Sequence, residues 1–184
     1  MAIETPNYKV IKKSGQIELR EYQAYLTASV FVDSDSYGSA GNYAFGALAD
    51  YIFGNNTKSG KIPMTAPVDT QMSEQIPMTA PVDTTKLKGH YKVSFTMPTS
   101  YTLKTLPKPN NGDVIIEQVP VRKMATIIFS GYTTDGKVNK RLSELKNWLS
   151  ENKIKTSGEP ILSRFDSPWK PGFIRHNELS LKLS

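Results

Sequence analysis

Cysteine is absent from the 184 residues. That excludes disulfides, thiolate metal sites and cysteine nucleophiles, and it is compatible with a reducing compartment. Histidine occurs twice, as His90 and His176, too few and too far apart for a structural zinc site. No stretch approaches the roughly 18 uncharged apolar residues needed to cross a bilayer. The N-terminus, MAIETPNYKV, has no basic start followed by an apolar run, so a cytoplasmic chain without a membrane span is expected. Also missing are a GxSxG elbow, a phosphate-cradling glycine loop and a dinucleotide fingerprint. No pattern assembles a nucleophile, a base and an oxyanion donor, and a non-enzymatic role is expected. Lys and Arg number 23 against 17 Asp and Glu, a net charge of +6. The basic residues are scattered, with no run of five and no nucleic-acid-binding motif, so they read as a solvated surface and no nucleic-acid partner is expected.

What is present is ordinary for a chain that buries a core: 38% apolar and 22% charged residues. Tyr8–Val32 alternates like strands, and its YLTASVFV end is rich in β-branched and aromatic residues. Asp33–Ser36 offers N-caps for a helix carrying Ala40, Tyr43, Ala44, Ala47, Leu48 and Tyr51, which Gly54, Asn55 and Asn56 stop. Asp33 and Asp35 read as part of this capping loop rather than as catalytic carboxylates. Tyr91–Met97 alternates again. Val114–Val119 and Val121–Phe129 read as strands joined at Pro120, Asp135–Asn152 as a helix with Val138, Leu142, Leu145 and Leu149 on one stripe, and Leu179–Leu183 as a last strand. Both halves therefore run strand, strand, helix, strand, strand. An offset of 97 lays Ile17–Val32 on Val114–Phe129 and the first helix on the second. The expected fold is α+β: a duplicated unit, with halves at about 8–98 and 113–184 of a single domain spanning 1–184, whose copies share one distorted antiparallel, barrel-like sheet flanked by two helices.

The phrase IPMTAPVDT occurs at Ile62–Thr70 and again at Ile76–Thr84. Pro63, Pro67, Pro77 and Pro81 cannot donate to a ladder, so these segments should be edge strands or extended loops. One reading pairs the second copy back on the first as a hairpin at the sheet margin. The other makes Met64 and Met78 the adaptable wall of an apolar ligand cleft beside the first helix.

KIPMTAPV after a helix, YKVSFTMP in the next strand, FSG after a later one and RFDSPWKPGFIRHNE near the end together resemble the SOUL/haem-binding protein family, from Tyr8 to the C-terminus. The resemblance implies the duplicated barrel-like fold, shared with effector-binding domains of some bacterial regulators. It also implies haem or another tetrapyrrole held in an apolar surface cleft against the first helix, with a loop before the last strand contributing. Carried over, it places Asn42, Phe45, Ala49 and Tyr51 on the helix and Trp169, Lys170 and Phe173 on the loop. Phe45, Trp169 and Phe173 would contact a flat ligand, and Lys170 and Arg175 would meet its propionates. The better-known members carry basic and methionine residues where this first helix has Asn42, Phe45, Ala49 and Asp50. His176 is the candidate axial ligand of a haem iron, on the strand face of Ile174 and Glu178 and opposite Arg175 and Asn177. Glu178 reads as a buried hydrogen-bonding fixture of the last strand. The alternatives are a binding module for other planar or amphipathic small molecules and a protein-interaction scaffold.

Overall fold

The computed structural model describes residues 3–58, 73–167 and 169–184. The strands are β1 (Tyr8–Ser14), β2 (Ile17–Tyr22), β3 (Tyr25–Val32), β4 (Asn56–Thr57), β5 (Val82–Lys86), β6 (Tyr91–Thr96), β7 (Lys108–Pro109), β8 (Ile115–Val119), β9 (Arg122–Ser130), β10 (Thr156–Arg164) and β11 (His176–Leu183). Helix α1 spans Tyr37–Ile52 and α2 spans Asp135–Glu151. Ser36 caps α1, its hydroxyl accepting from Ser39 N at 3.2 Å. Thr134 caps α2 in the same way. Each cap satisfies one of the orphan amides of a helix start.

Nine strands form one antiparallel sheet in the order β1-β2-β9-β11-β10-β5-β6-β3-β8, and β4 and β7 make a separate two-stranded ladder. Leaving β1 aside, this order is a palindrome: exchanging β2 with β8, β3 with β9, β5 with β10 and β6 with β11 reverses it. The register keeps the offset of 97. Tyr25 pairs with Val119 and Ala28 with Ile116, while Arg122 pairs with Tyr22 and Ala125 with Leu19. The expected duplication is thus present, and the two copies share one sheet. The sheet curls without closing, since β1 and β8 remain its edges.

Residues paired across antiparallel strands point to the same face. Ala28, Val30, Val93, Leu162, Leu179, Leu181, Ala125 and Ile127 fall on one face, all buried, and carry both helices. Helix α1 lies on β3, β5 and β6, and α2 on β9 and β11. The opposite face carries Glu18, Arg20, Ser29, Ser94, Thr126, Ser163, Glu178 and Ser180, which are polar yet also buried. The curl of the sheet encloses them, and each half repeats one hydroxyl pair: Ser29 with Ser94 and Thr126 with Ser180, both at 2.8 Å. Internal partners of this kind are what a buried polar face requires. Side chains fill the space so fully that a cavity of only about 30 Å³ remains there, room for about one water.

In the second copy of the repeated phrase the prolines fall in a loop, one of the two expected positions, and only its last three residues enter the sheet. Ile76–Pro81 runs extended outside the ladder, with Pro77 and Pro81 where no donor is needed. Val82–Thr84 then enters β5, an interior strand between β10 and β6. Ile76 is buried in the core and donates its amide to Ile52 O at 2.8 Å. The first copy lies outside the described residues.

Candidate functional site

Between α1 and the ends of β10 and β11 the helix-bearing face opens as a cleft of about 300 Å³. Its walls come from α1 (Gly41, Asn42, Phe45), the start of β5 (Val82), the loop after β9 (Gly131, Thr133) and the residues flanking the last loop (Arg164, Asp166, Arg175, Asn177). The two symmetry-related strands meet here: Arg164 of β10 pairs with Val82 of β5 on one side and with Asn177 on the other. Strand alternation therefore puts Arg164, Val82 and Asn177 on the helix face, while Ser163, Asp83 and Glu178 point the other way.

Arg164 is the central cation. Its guanidinium lies against the backbone of Gly41, so closely that a Cβ on that glycine would sit 1.9 Å from Nη2. A side chain at position 41 would therefore push the guanidinium out of this seat. Among the described residues Arg164 has one long hydrogen bond, from Nη2 to Thr84 Oγ1 at 3.4 Å, and its buried Nε has no partner. Burial, and then the charge of nearby Arg175, lower the Arg164 pKa, though a guanidinium remains protonated at neutral pH. Arg175 donates from Nε to Lys170 O at 2.9 Å and lies 5.8 Å over the Tyr132 ring. Asn177 donates to Gly131 O at 2.7 Å, tying the loop after β9 to β11. The one acid in the wall, Asp166, is already engaged: it accepts from Lys170 Nζ at 2.8 Å and from the His176 amide. Its pKa falls because those hydrogen bonds and the Lys170 charge outweigh the opposing effect of burial. The cleft thus sets a cationic rim of Arg164 and Arg175 beside the apolar side chains of Phe45 and Val82.

Of the expected residues, the structure brings Asn42, Phe45 and Arg175 together. Tyr51 is elsewhere: it is buried at the far end of α1, where its hydroxyl donates to Pro107 O at 2.7 Å. Met78 is half exposed outside the cleft wall, and Met64 lies outside the described residues. Lys170 is turned to Asp166. Trp169 and Phe173 point to solvent, 93% and 74% exposed. His176 lies on the opposite face of β11, as alternation predicts, with Nε2 2.9 Å from Glu178 Oε1 and its ring edge-on to Phe165. The residues not anticipated are Arg164 and Gly41. Arg164 opens the terminal block RFDSPWKPGFIRHNE, and alternation from Ser163 gives its face. Gly41 gave a weaker signal, as a glycine inside a helical pattern.

No group of three or more His, Cys, Asp or Glu that could hold a metal occurs among the described residues, and no helix there is long and apolar enough to cross a membrane. In fold, the chain resembles the EcmrR C-terminal domain (TM-score 0.67, 14% identity, covering 92% of this chain and 97% of that one). It also resembles a protein from Listeria innocua whose structure is described as a hydrolase (TM-score 0.59, 12% identity, covering 95% and 94%). At such identities the likeness is one of fold alone. By sequence, human Heme-binding protein 2 is 29% identical over 155 residues, covering 82% of this chain and 72% of that protein. Heme-binding protein 1 of Xenopus laevis is 24% identical over 183 residues, covering 96% and 90%. The profile described as SOUL heme-binding protein matches residues 3–182, and on that near-complete match the chain belongs to the SOUL heme-binding family.

Proposed function

We propose that the protein binds haem or a related carboxylate-bearing tetrapyrrole at the cleft between α1 and β10, as a binder rather than an enzyme. The carrying observation is Arg164: a partly buried guanidinium with a fully enclosed Nε, beside a second guanidinium, with no carboxylate of the chain bonded to it among the described residues. A buried cation without a counter-ion is expensive, and an anionic ligand group would relieve that cost with charge-assisted hydrogen bonds. Propionates supply such a group, and the relatives are named for binding haem.

The residues fit the carboxylate edge of the ligand. Arg164 and Arg175 would hold it, Asn42 and Thr133 offer further polar contacts, and Phe45, packed edge-on against Phe95 at 5.6 Å, gives an apolar wall. A cleft of about 300 Å³ is at the small end for organic ligands, so it seats the polar edge and leaves much of the macrocycle outside. Bound haem would supply a redox-active iron. The described cleft wall contributes no His, Met, Cys or Tyr to ligate that iron. The chain's part is to bind and orient the periphery.

Titrating haemin, iron-free protoporphyrin IX and haemin dimethyl ester separates carboxylate recognition from general adhesion. The first two should bind with similar affinity. The ester, whose carboxylates are neutralised, should bind roughly 10- to 100-fold more weakly, the worth of one or two charged hydrogen bonds. Arg164→Gln should weaken haemin to the level of the ester. Equal binding of acid and ester, or an unaffected Arg164→Gln variant, would remove the cleft as the site.

A further inference from the structure

We infer that Trp169–Arg175, the loop segment leading into β11, is a docking element for a bilayer surface containing anionic lipid. It presents Trp169 and Phe173 almost fully to solvent, with Ile174 half exposed beside them. Tyr132, also exposed, lies with its ring against Gly172, where a Cβ would stand 2.1 Å from its Cζ. Four large apolar side chains thus project from one protrusion.

Their exposure is built in. Within the loop, Lys170 N donates to Ser167 O at 3.1 Å, Ile174 N to Pro171 O at 3.1 Å and Arg175 Nε to Lys170 O at 2.9 Å. Gly131 N donates to Arg175 O at 3.0 Å, joining the Tyr132 turn to the loop. Asp166 secures the base by accepting from Lys170 Nζ and the His176 amide. These bonds tie the backbone that carries the two rings, and both face solvent, so the apolar surface stays in water unless something covers it.

Two features select a membrane over a protein partner or a second copy. The first is size: four side chains on one turn fall far short of the roughly 800 Å² per partner of a stable protein interface, whereas interfacial anchoring needs only a few aromatic residues at headgroup depth. The second is charge. Arg175 lies 5.8 Å over the Tyr132 ring, Lys137 donates from Nζ to Ser130 O at 2.7 Å in the adjoining turn, and the chain carries +6 overall. Each such cation at an anionic surface multiplies partitioning about fivefold. The inference rests on the loop alone and not on the haem reading. Asp166 and Arg175, which flank the loop, also line the cleft, so docking would hold the cleft mouth close to the bilayer.

The test is co-sedimentation of the full chain with phosphatidylcholine vesicles, with and without roughly 30 mol% phosphatidylserine, alongside tryptophan emission. Wild type should bind the anionic vesicles at least tenfold better than the neutral ones and show a blue shift that Trp169→Phe abolishes. Trp169→Ser with Phe173→Ser, both at solvent positions that leave the fold intact, should lower binding tenfold or more. No sedimentation of wild type with either vesicle overturns the inference. So does equal binding to both, or binding that survives the double substitution. Arg164→Gln should keep vesicle binding while losing haemin, so failure of one reading leaves the other testable.

Discussion

Arg20 is 1% exposed, and its charge is matched wholly from inside the protein. Its guanidinium donates to both Glu178 oxygens at 2.7 and 3.0 Å, to Glu18 Oε2 at 2.8 Å and to the Tyr22 hydroxyl at 3.0 Å, and it lies 4.2 Å over the Tyr8 ring. Burial alone would raise the Glu178 carboxyl, but the hydrogen bonds from His176 and Arg20 and the Arg20 charge prevail and hold it below the usual carboxylate range. Glu18 is lowered too, against burial, by Lys13 and Arg20. Removing the cation leaves Glu18 only its bridge to Lys13 and Glu178 only its contact with His176, so Arg20→Met should cost about 3 kcal/mol at neutral pH. The sign with pH follows from the depressed folded pKa values: the stabilisation is complete above the unfolded carboxylate value and is lost as pH falls through the folded ones. Urea unfolding at about pH 7 and pH 4.5 should therefore show the gap between wild type and variant narrowing in acid. A gap that widens would mean the carboxylates do not carry the effect. Glu178 was legible in sequence as a fixture of its strand. Its partner, 158 residues away, was not, because alternation gives the face of a residue and not what lies across the sheet.

At the scale of elements, the cleft depends on how α1 sits beside the Arg164 side chain of β10, and Gly41 is where the guanidinium lies against the helix. A methyl group there meets the far end of a flexible side chain, so Gly41→Ala displaces the Arg164 guanidinium at little cost, while alanine gains up to about 1 kcal/mol of helix propensity. The expected result is an equal or slightly higher Tm with haemin affinity reduced about tenfold or more. A lowered Tm with unchanged affinity would mean that the helix moved and Arg164 did not. The helices, their caps and most strands could be read from periodicity, since each is set by local pattern. The cleft was legible only in part. Phe45 and Arg175 follow from the family pattern, whereas the outward turn of Trp169 and Phe173 depends on loop hydrogen bonds that no periodicity encodes. The doubled phrase also belongs at this scale. Asn56 bonds the backbone of Glu74 in both directions, at 2.8 and 3.0 Å, so the chain leaves and re-enters the fold at adjacent points, and loop length there costs little. Deleting residues 71–84 leaves Val68-Asp69-Thr70 in front of Thr85, the same three residues that begin β5. The shortened chain should unfold cooperatively with a Tm within about 5 °C of wild type. Loss of cooperativity would show that the intervening segment supports the fold.

For the whole molecule, the palindromic sheet has a consequence for how the halves depend on each other. Apart from the added β1, which pairs with β2, the leading strand of each repeat pairs across to the other: β2 with β9 of the second half, and β8 with β3 of the first. The centre of the sheet, β5 against β10, is also a junction between halves. Only the offset of 97 was visible in sequence. That the copies exchange their leading strands is a matter of long-range pairing, which the pattern within each half leaves open. Separated halves would each expose three newly unpaired strand edges and the apolar flank of a helix-bearing layer, a condition small units do not survive alone. Cutting the chain in the exposed turn between Gly112 and Asp113 tests this. Fragments 1–112 and 113–184 should each lack a cooperative unfolding transition, and mixing them should restore the far-ultraviolet circular dichroism of the intact chain. Haemin binding should return only in the mixture, because α1 and Val82 lie in one fragment and Arg164 and Arg175 in the other. Cooperative folding of fragment 113–184 by itself would mean that β9 to β11 with α2 form a self-sufficient unit and that the exchange of strands is incidental to stability.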